Sequence, residues 1–246
     1  MIEVEGLSKS YGDYRAVRGV SFTAGQGQVV GFLGPNGAGK TSTIRMLATY
    51  LPPSSGTARV AGFDILTHPD EVRRRIGYLP ENPPLYGEMT VREYLLFVGS
   101  LKGIPKQQLR AKVDDSLERC FLTDVQHKLC QHLSRGYRQR TGLAQAIIHD
   151  PAVIILDEPT SGLDPKQIIE IRKFIKALGE KHTVLLSTHI LPEVSMVCSK
   201  VVIVHRGQVV ADGMLEDLTR TKSLEQVFLE KVAGDIEHEI GAEVAV

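Results

Sequence analysis

Apolar residues fall along this chain in two kinds of run. Short, almost continuous apolar stretches occur at Val29-Val30-Gly31-Phe32-Leu33, at Val153-Ile154-Ile155-Leu156 and at Val184-Leu185-Leu186. Runs of that length, rich in β-branched residues, predict strands buried on both faces, as in the middle of a parallel sheet. Arg75 to Pro80 predicts one more strand, and the stretches 31 to 80 and 150 to 212 are expected to supply the parallel core. The other runs are periodic or capped. Residues 39 to 51 predict a helix stopped by Pro52-Pro53, and residues 135 to 149 a helix with Ser134 as its N-cap. Thr90 caps a predicted helix that reaches Lys102 and is broken by Gly103 and Pro105; Leu109, Val113, Leu117 and Phe121 then stripe the next one at spacing four. The stretch from about 86 to 149 is therefore expected to form a helical lobe.

The two ends of the chain differ from this pattern. Ile2 to Val4 and Val20 to Thr23 are short β segments between glycine-containing turns, which suits an antiparallel β lobe. Leu224, Val227, Phe228 and, at the margin, Val232 share one helical face and are expected to dock on the core. The acidic run Asp235 to Glu243 has no dense apolar stripe and is expected to be a mobile tail. No internal repeat is visible.

Chemistry enters between the first buried run and its helix, at Gly34-Pro35-Asn36-Gly37-Ala38-Gly39-Lys40-Thr41. The spacing G-x-x-x-x-G-K-T is that of a loop whose backbone N–H groups wrap a polyphosphate; Lys40 then reaches the β and γ phosphates, and the Thr41 hydroxyl ligates Mg²⁺. Glycine is needed where backbone and ligand approach too closely for a side chain. The helix that follows, with Ser42 beside Thr41, aims its positive end at the anion. This is a nucleotide-binding pattern. The run Val153 to Leu156 ends in Asp157 and Glu158, where ligands sit in open α/β sheets. Asp157 is expected to hold Mg²⁺ through water. Glu158, facing the opposite way by strand alternation, is expected to approach the γ-phosphate and polarise the attacking water.

Three further segments follow in order: Leu133-Ser134-Arg135-Gly136-Tyr137-Arg138-Gln139-Arg140, Ser161-Gly162-Leu163-Asp164, and Ser187-Thr188-His189. With the loop and the acidic strand, they make residues 1 to about 220 resemble the ABC ATPase family. The resemblance implies an α/β P-loop NTPase of the ABC ATPase fold, with a RecA-like parallel-sheet core, an antiparallel β subdomain and an α-helical subdomain. It implies a nucleotide-binding domain over 1–220, a C-terminal helix over 221–234 and a tail over 235–246. It also implies a head-to-tail dimer, with itself or a paralogue, sandwiching two ATP molecules. In that dimer Ser134 and Gly136 contact the γ-phosphate across the interface, Asp164 couples the two sites, and His189 contacts the γ-phosphate and positions water or Glu158. Tyr11 matches the aromatic residue that stacks on adenine.

The chain departs from the family pattern in two places. Arg135 and Tyr137 replace the third and fifth residues of the usual L-S-G-G-Q signature. Arg135 has two readings, an exposed residue at a helix start or an extra cation near the opposite subunit's nucleotide. Glu81 stands where a glutamine is usual, and a carboxylate remains a suitable Mg²⁺ ligand. Both departures resemble the bacterial type-two exporter branch, which includes gliding-motility systems.

Composition narrows the remaining choices. The 246 residues are 42% hydrophobic, enough for a full core. Lys plus Arg and Asp plus Glu each count 29, which leaves no basic excess for nucleic acid. Cys120, Cys130 and Cys198 form no pairable framework and point to a reducing compartment; with His127 and His132 two of them fit no regular zinc spacing. No run of eighteen apolar residues and no leader segment is seen, so an exporter role requires a separate integral membrane permease that holds this chain at the cytoplasmic face. The other classes weighed are a soluble ABC ATPase acting on nucleic acid or ribosomes, for which the span from Glu81 to Ser134 is too short to hold a long coiled coil, and a non-enzymatic ATP sensor, which would need a damaged site.

Overall fold

Both faces of the central strands are covered, which is why their apolar runs are unbroken. The computed structural model describes residues 1–232. In chain order, β1 (Ile2–Tyr11) and β2 (Tyr14–Ala24) form a hairpin, and β3 (Val29–Leu33) leads through the glycine loop into α1 (Lys40–Leu47). β4 (Ser55–Val60), β5 (Phe63–Asp64), α2 (Pro69–Arg75) and β6 (Ile76–Leu79) follow, then the helices α3 (Val91–Leu101), α4 (Lys106–Arg119) and α5 (Arg135–Ile147). The chain continues through β7 (Val153–Asp157), α6 (Pro165–Leu178), β8 (Thr183–Thr188), α7 (Leu191–Val197), β9 (Lys200–His205), β10 (Gln208–Met214) and α8 (Leu215–Leu218). It is helical again over 224–232.

Two sheets result, in the orders β2-β1-β4-β5 and β10-β9-β3-β8-β7-β6. The first is antiparallel; in the second only β10 runs against its neighbour. Val30 and Phe32 of β3, Val153 and Ile155 of β7, and Leu185 of β8 face the first sheet and α1, forming one core with Ile2, Val20, Ile44 and Leu47. Alternate residues of the same strands, Leu33, Ile154, Leu156, Val184 and Leu186, face the helices and form the second core. This is the period of two expected of a strand buried on both sides.

The caps behave as the sequence predicts. Thr90 closes a capping box, accepting from Glu93 N while the Glu93 carboxylate accepts from Thr90 N. Ser134 caps α5. Leu224 and Val227 are buried and Phe228 packs against the second core, so the described part of the terminal helix docks. The expected tail lies outside the described residues.

Other expectations need correction. α1 ends at Leu47 rather than 51, because Thr49 turns left-handed (φ 60°) and Tyr50 N and Leu51 N both donate to Arg45 O. Residues 55–64 belong to the antiparallel sheet, where Ile2 pairs with Val60, and not to the parallel core. β1 and β2 are also longer than their apolar centres. Phe121 leaves the α4 stripe: it is left-handed (φ 54°) and 47% exposed, and Leu122 takes the core position.

Gly77 of β6 shows how tightly the helical lobe meets the core, since a Cβ there would overlap the Ala146 carbonyl oxygen of α5. Gly77→Ala is expected to cost about 1–3 kcal/mol, with Tm falling roughly 2–4 °C for each kcal/mol. Gly87→Ala, whose new Cβ would come no nearer than 3.4 Å to Gln131, should leave Tm unchanged in the same thermal melt.

Candidate functional site

The loop from Gly34 to Gly39 is shaped by what it cannot contain. A Cβ on Gly34 would overlap the Val204 carbonyl oxygen, and one on Gly39 would lie 2.5 Å from Ala16 O. Gly39 is left-handed (φ 96°) and is the N-cap of α1, where no side chain caps the helix. The first-turn N–H groups, which a helix cannot pair internally, are therefore left for a ligand. Asn36, Gly37, Gly39, Lys40, Thr41 and Ser42 line one wall of a cleft of about 380 Å³; Tyr11, Glu81, Glu158 and His189 line the rest. Ser161, of the Ser161-Gly162-Leu163-Asp164 segment, also lines it, as do Tyr14 and Ala16, which nothing in their spacing singles out in the sequence.

Lys40 is 6% exposed and donates to Gly34 O at 2.8 Å and to Pro35 O at 3.2 Å. Its Nζ lies 3.9 Å from Glu158 Oε1. Burial lowers its pKa, and the charges of Glu158, Asp157 and Glu81 pull the other way. Asp157, at the end of β7, is 1% exposed. Among the described residues neither of its carboxylate oxygens closes a hydrogen bond of good geometry, although the Ser187 and Thr41 hydroxyls stand near enough to favour its charged form. Burial outweighs them and pushes its pKa up, helped by the Glu81 charge. A buried carboxylate with both oxygens orphaned beside a threonine hydroxyl is a donor set suited to a hard divalent cation.

Glu158 is placed differently from the strand-alternation reading. It has left β7 through a left-handed turn (φ 50°), with its N–H donating to Ser187 O at 2.9 Å. The turn, and not the pleat, swings its side chain toward Lys40 and His189. His189 Nδ1 lies 2.9 Å from Glu158 Oε1. Burial raises the Glu158 pKa, opposed first by the hydrogen bond from His189.

The signature residues lie elsewhere. Ser134, Gly136 and Asp164 do not line the cleft. Ser134 accepts from Tyr137 N at 3.4 Å, and Asp164 caps α6 by accepting from Gln167 N at 2.9 Å. Gly136 faces Gln167 and Leu163, and a Cβ there would lie 2.6 Å from the Gln167 amide oxygen, displacing that side chain. Arg135 is exposed at the first position of α5, as the first of its two readings has it, and it also holds a partner there: its Nη2 donates to Ser161 Oγ at 2.7 Å, and its side chain crosses Gly162. Cys120, Cys130 and Cys198 are free and buried, and no group of metal-binding side chains that includes them is found among the described residues.

Residues 17–161 match the family model described as ABC transporter. The chain is 40% identical over 245 residues to the ABC transporter ATP-binding protein NatA of Bacillus subtilis, covering 96% of this chain and 100% of that protein. It is 39% identical over 222 residues to the bacitracin transport ATP-binding protein BcrA of Bacillus licheniformis, covering 89% and 72%. A solved ATP binding subunit of an ABC transporter superposes with a TM-score of 0.87 at 30% identity, covering 94% of this chain and 99% of that one.

The orphaned carboxylate gives a stability test. A carboxylate whose pKa is raised by folding destabilises the fold increasingly as pH rises from its unfolded value through its folded one. Asp157→Asn should therefore raise Tm of the ligand-free protein at pH 8, by on the order of 1 kcal/mol of relieved desolvation. The gap should close as pH falls toward the ordinary aspartate value of about 3.9. Thermal melts across that range check it; an equal or lower Tm at pH 8 contradicts it.

Proposed function

The chain belongs to the ABC transporter family as an ATP-binding, ATP-hydrolysing subunit, and from that premise we propose how its residues divide the work. The triphosphate lies in the glycine loop, cradled by backbone N–H groups between Asn36 and Ser42, with Tyr11 against the base. Lys40 exchanges its two carbonyl bonds for the β and γ phosphates. Thr41 and Asp157, with Glu81 near both, hold Mg²⁺, which when bound neutralises charge on the phosphate oxygens. Glu158 accepts a proton from the water that attacks the γ-phosphate in line, and His189 keeps that carboxylate in place and meets the γ-phosphate. The observation that carries this reading is the chain of close contacts from Lys40 through Glu158 to His189 at the mouth of the loop.

A second nucleotide-binding subunit, a copy of this chain or a paralogue, completes each site. Ser134 and Gly136 sit at the N-terminus of α5 outside the cleft of their own chain, where a facing subunit's nucleotide can reach them. Asp164 lies in the same interface. The motor works on a separate membrane permease at the cytoplasmic face, as an exporter; no helix among the described residues is long and apolar enough to cross a membrane, and BcrA, one of its relatives, is a bacitracin transport protein.

Glu158→Gln is expected to bind ATP and Mg²⁺ normally, accumulate as a dimer in size-exclusion chromatography, and hydrolyse at least ~100-fold more slowly. Lys40→Ala should lose tight ATP binding. Near-normal turnover by Glu158→Gln would remove the assigned role. The same trapped variant, tagged and recovered from detergent-solubilised host membranes, should bring a multi-spanning protein with it; ribosomes or nucleic acid instead would favour the soluble class.

A further inference from the structure

Behind the cleft lies a buried carboxylate for which the reading above has no task. Glu193, in the first turn of α7, is 1% exposed. Each of its oxygens accepts a hydroxyl proton from a different catalytic segment. Thr160 Oγ1, two residues beyond Glu158, donates to Oε1. Thr188 Oγ1, immediately before His189, donates to Oε2 at 2.7 Å. Arg172 of α6 lies 3.8 Å from Oε1 as the nearby cation.

Packing does not call for this arrangement. Burying an ionised carboxylate is costly, and an apolar residue of similar volume would hold α7 on the sheet as well. An apolar residue could not, however, hold two hydroxyls in fixed directions at once. The Thr188 hydroxyl is itself relayed: it accepts from Ile190 N at 3.1 Å while it donates to Glu193, and Glu193 N donates to Ile190 O at 3.1 Å. The turn that presents His189 is thus bonded on both sides. On the other segment, Glu158 has a left-handed backbone that a non-glycine residue keeps only where its surroundings over-determine it. Thr160, bonded to Glu193, and the Glu158 N–H, bonded to Ser187 O, bracket that residue.

We infer that Glu193 is a positioning residue: it ties the segment carrying Glu158 to the segment carrying His189, so that His189 Nδ1 stays within hydrogen-bond distance of Glu158 Oε1. The inference rests on the assignment of those two residues to hydrolysis, but its geometric part can be read without turnover.

The test uses the full chain, ligand-free and labelled with ¹⁵N-histidine, at about pH 8, where an ordinary imidazole is neutral. The His189 ring signals are identified by their loss in His189→Ala. In the unmodified protein the ring should hold one tautomer, with Nδ1–H donated to Glu158. In Glu193→Gln and in Thr188→Val the ring should populate both tautomers. Turnover should fall about tenfold or more, as displacement of a positioned group predicts, while Kd for ATP changes less than about twofold. Thr188→Val keeps the volume and removes both bonds of that hydroxyl, to Glu193 and from Ile190 N, so it carries the test should Glu193→Gln fail to fold. Unchanged His189 signals in a folded variant overturn the inference, whatever happens to the rate. A loosened ring with undiminished turnover would instead count against the catalytic assignment of His189 and leave the tie itself standing.

Discussion

The parallel ladder of β3, β8 and β7 is the constraint on which the rest depends. Leu33 pairs with Thr188, and Ser187 pairs with Asp157, so three strands end at one level. The glycine loop, the His189 turn and the Glu158 turn therefore leave the sheet together, at its carboxyl edge, where an open α/β sheet has its crevice. A one-residue slip in that register would turn each strand's apolar residues to the opposite core. Because both faces are buried in close-packed cores, the hydrophobic pattern that makes the fold also fixes the site.

At that edge Lys40, Asp157 and Glu158 are all buried, at 6%, 1% and 9% exposure. Desolvation drives Lys40 down in pKa and Asp157 and Glu158 up, each toward neutrality. Lys40 makes use of two loop carbonyls, while Asp157 closes no hydrogen bond among the described residues. A polyphosphate with a divalent cation would bring an anion to the lysine and the loop N–H groups and a cation to the aspartate. Groups held in place by the fold before such a pair arrives are preorganised for it.

What was legible in the sequence followed from strict local rules. β3, β7 and β8 were readable because burial on both sides leaves their central positions apolar without alternation, and the caps at Thr90 and Ser134 because a hydroxyl before a helix has one common use. β4 was missed: Ser-Gly-Thr-Ala-Arg-Val carries only two buried apolar residues, and its place is set by β1, far away in sequence. Phe121 was misplaced because one left-handed residue rephases everything after it, and the same kind of turn at Glu158 defeated the alternation argument. Glu193 could not be found by spacing at all, since its meaning lies in two hydroxyls that only the tertiary fold brings to it. Ser134, Gly136 and Asp164 were found as motif residues, but what they do in this chain alone is cap and pack helices.

The few residues after Glu158 are held from two sides. From the core, Thr160 is bonded to Glu193. From the helical lobe, Gln139 Nε2 reaches the Glu158 carbonyl at 3.3 Å and Arg135 reaches Ser161. Arg140 adds an ion pair to Glu170 at 3.1 Å, so α5 is also joined to α6. Glu158 thus sits on a short segment shared by both lobes. A rotation of the helical lobe cannot leave that segment untouched: either the Arg135 and Gln139 bonds break, or Glu158 moves with them against the tie to Glu193. The arginine at the third signature position, where the usual glycine has no side chain to offer, supplies one of these bonds.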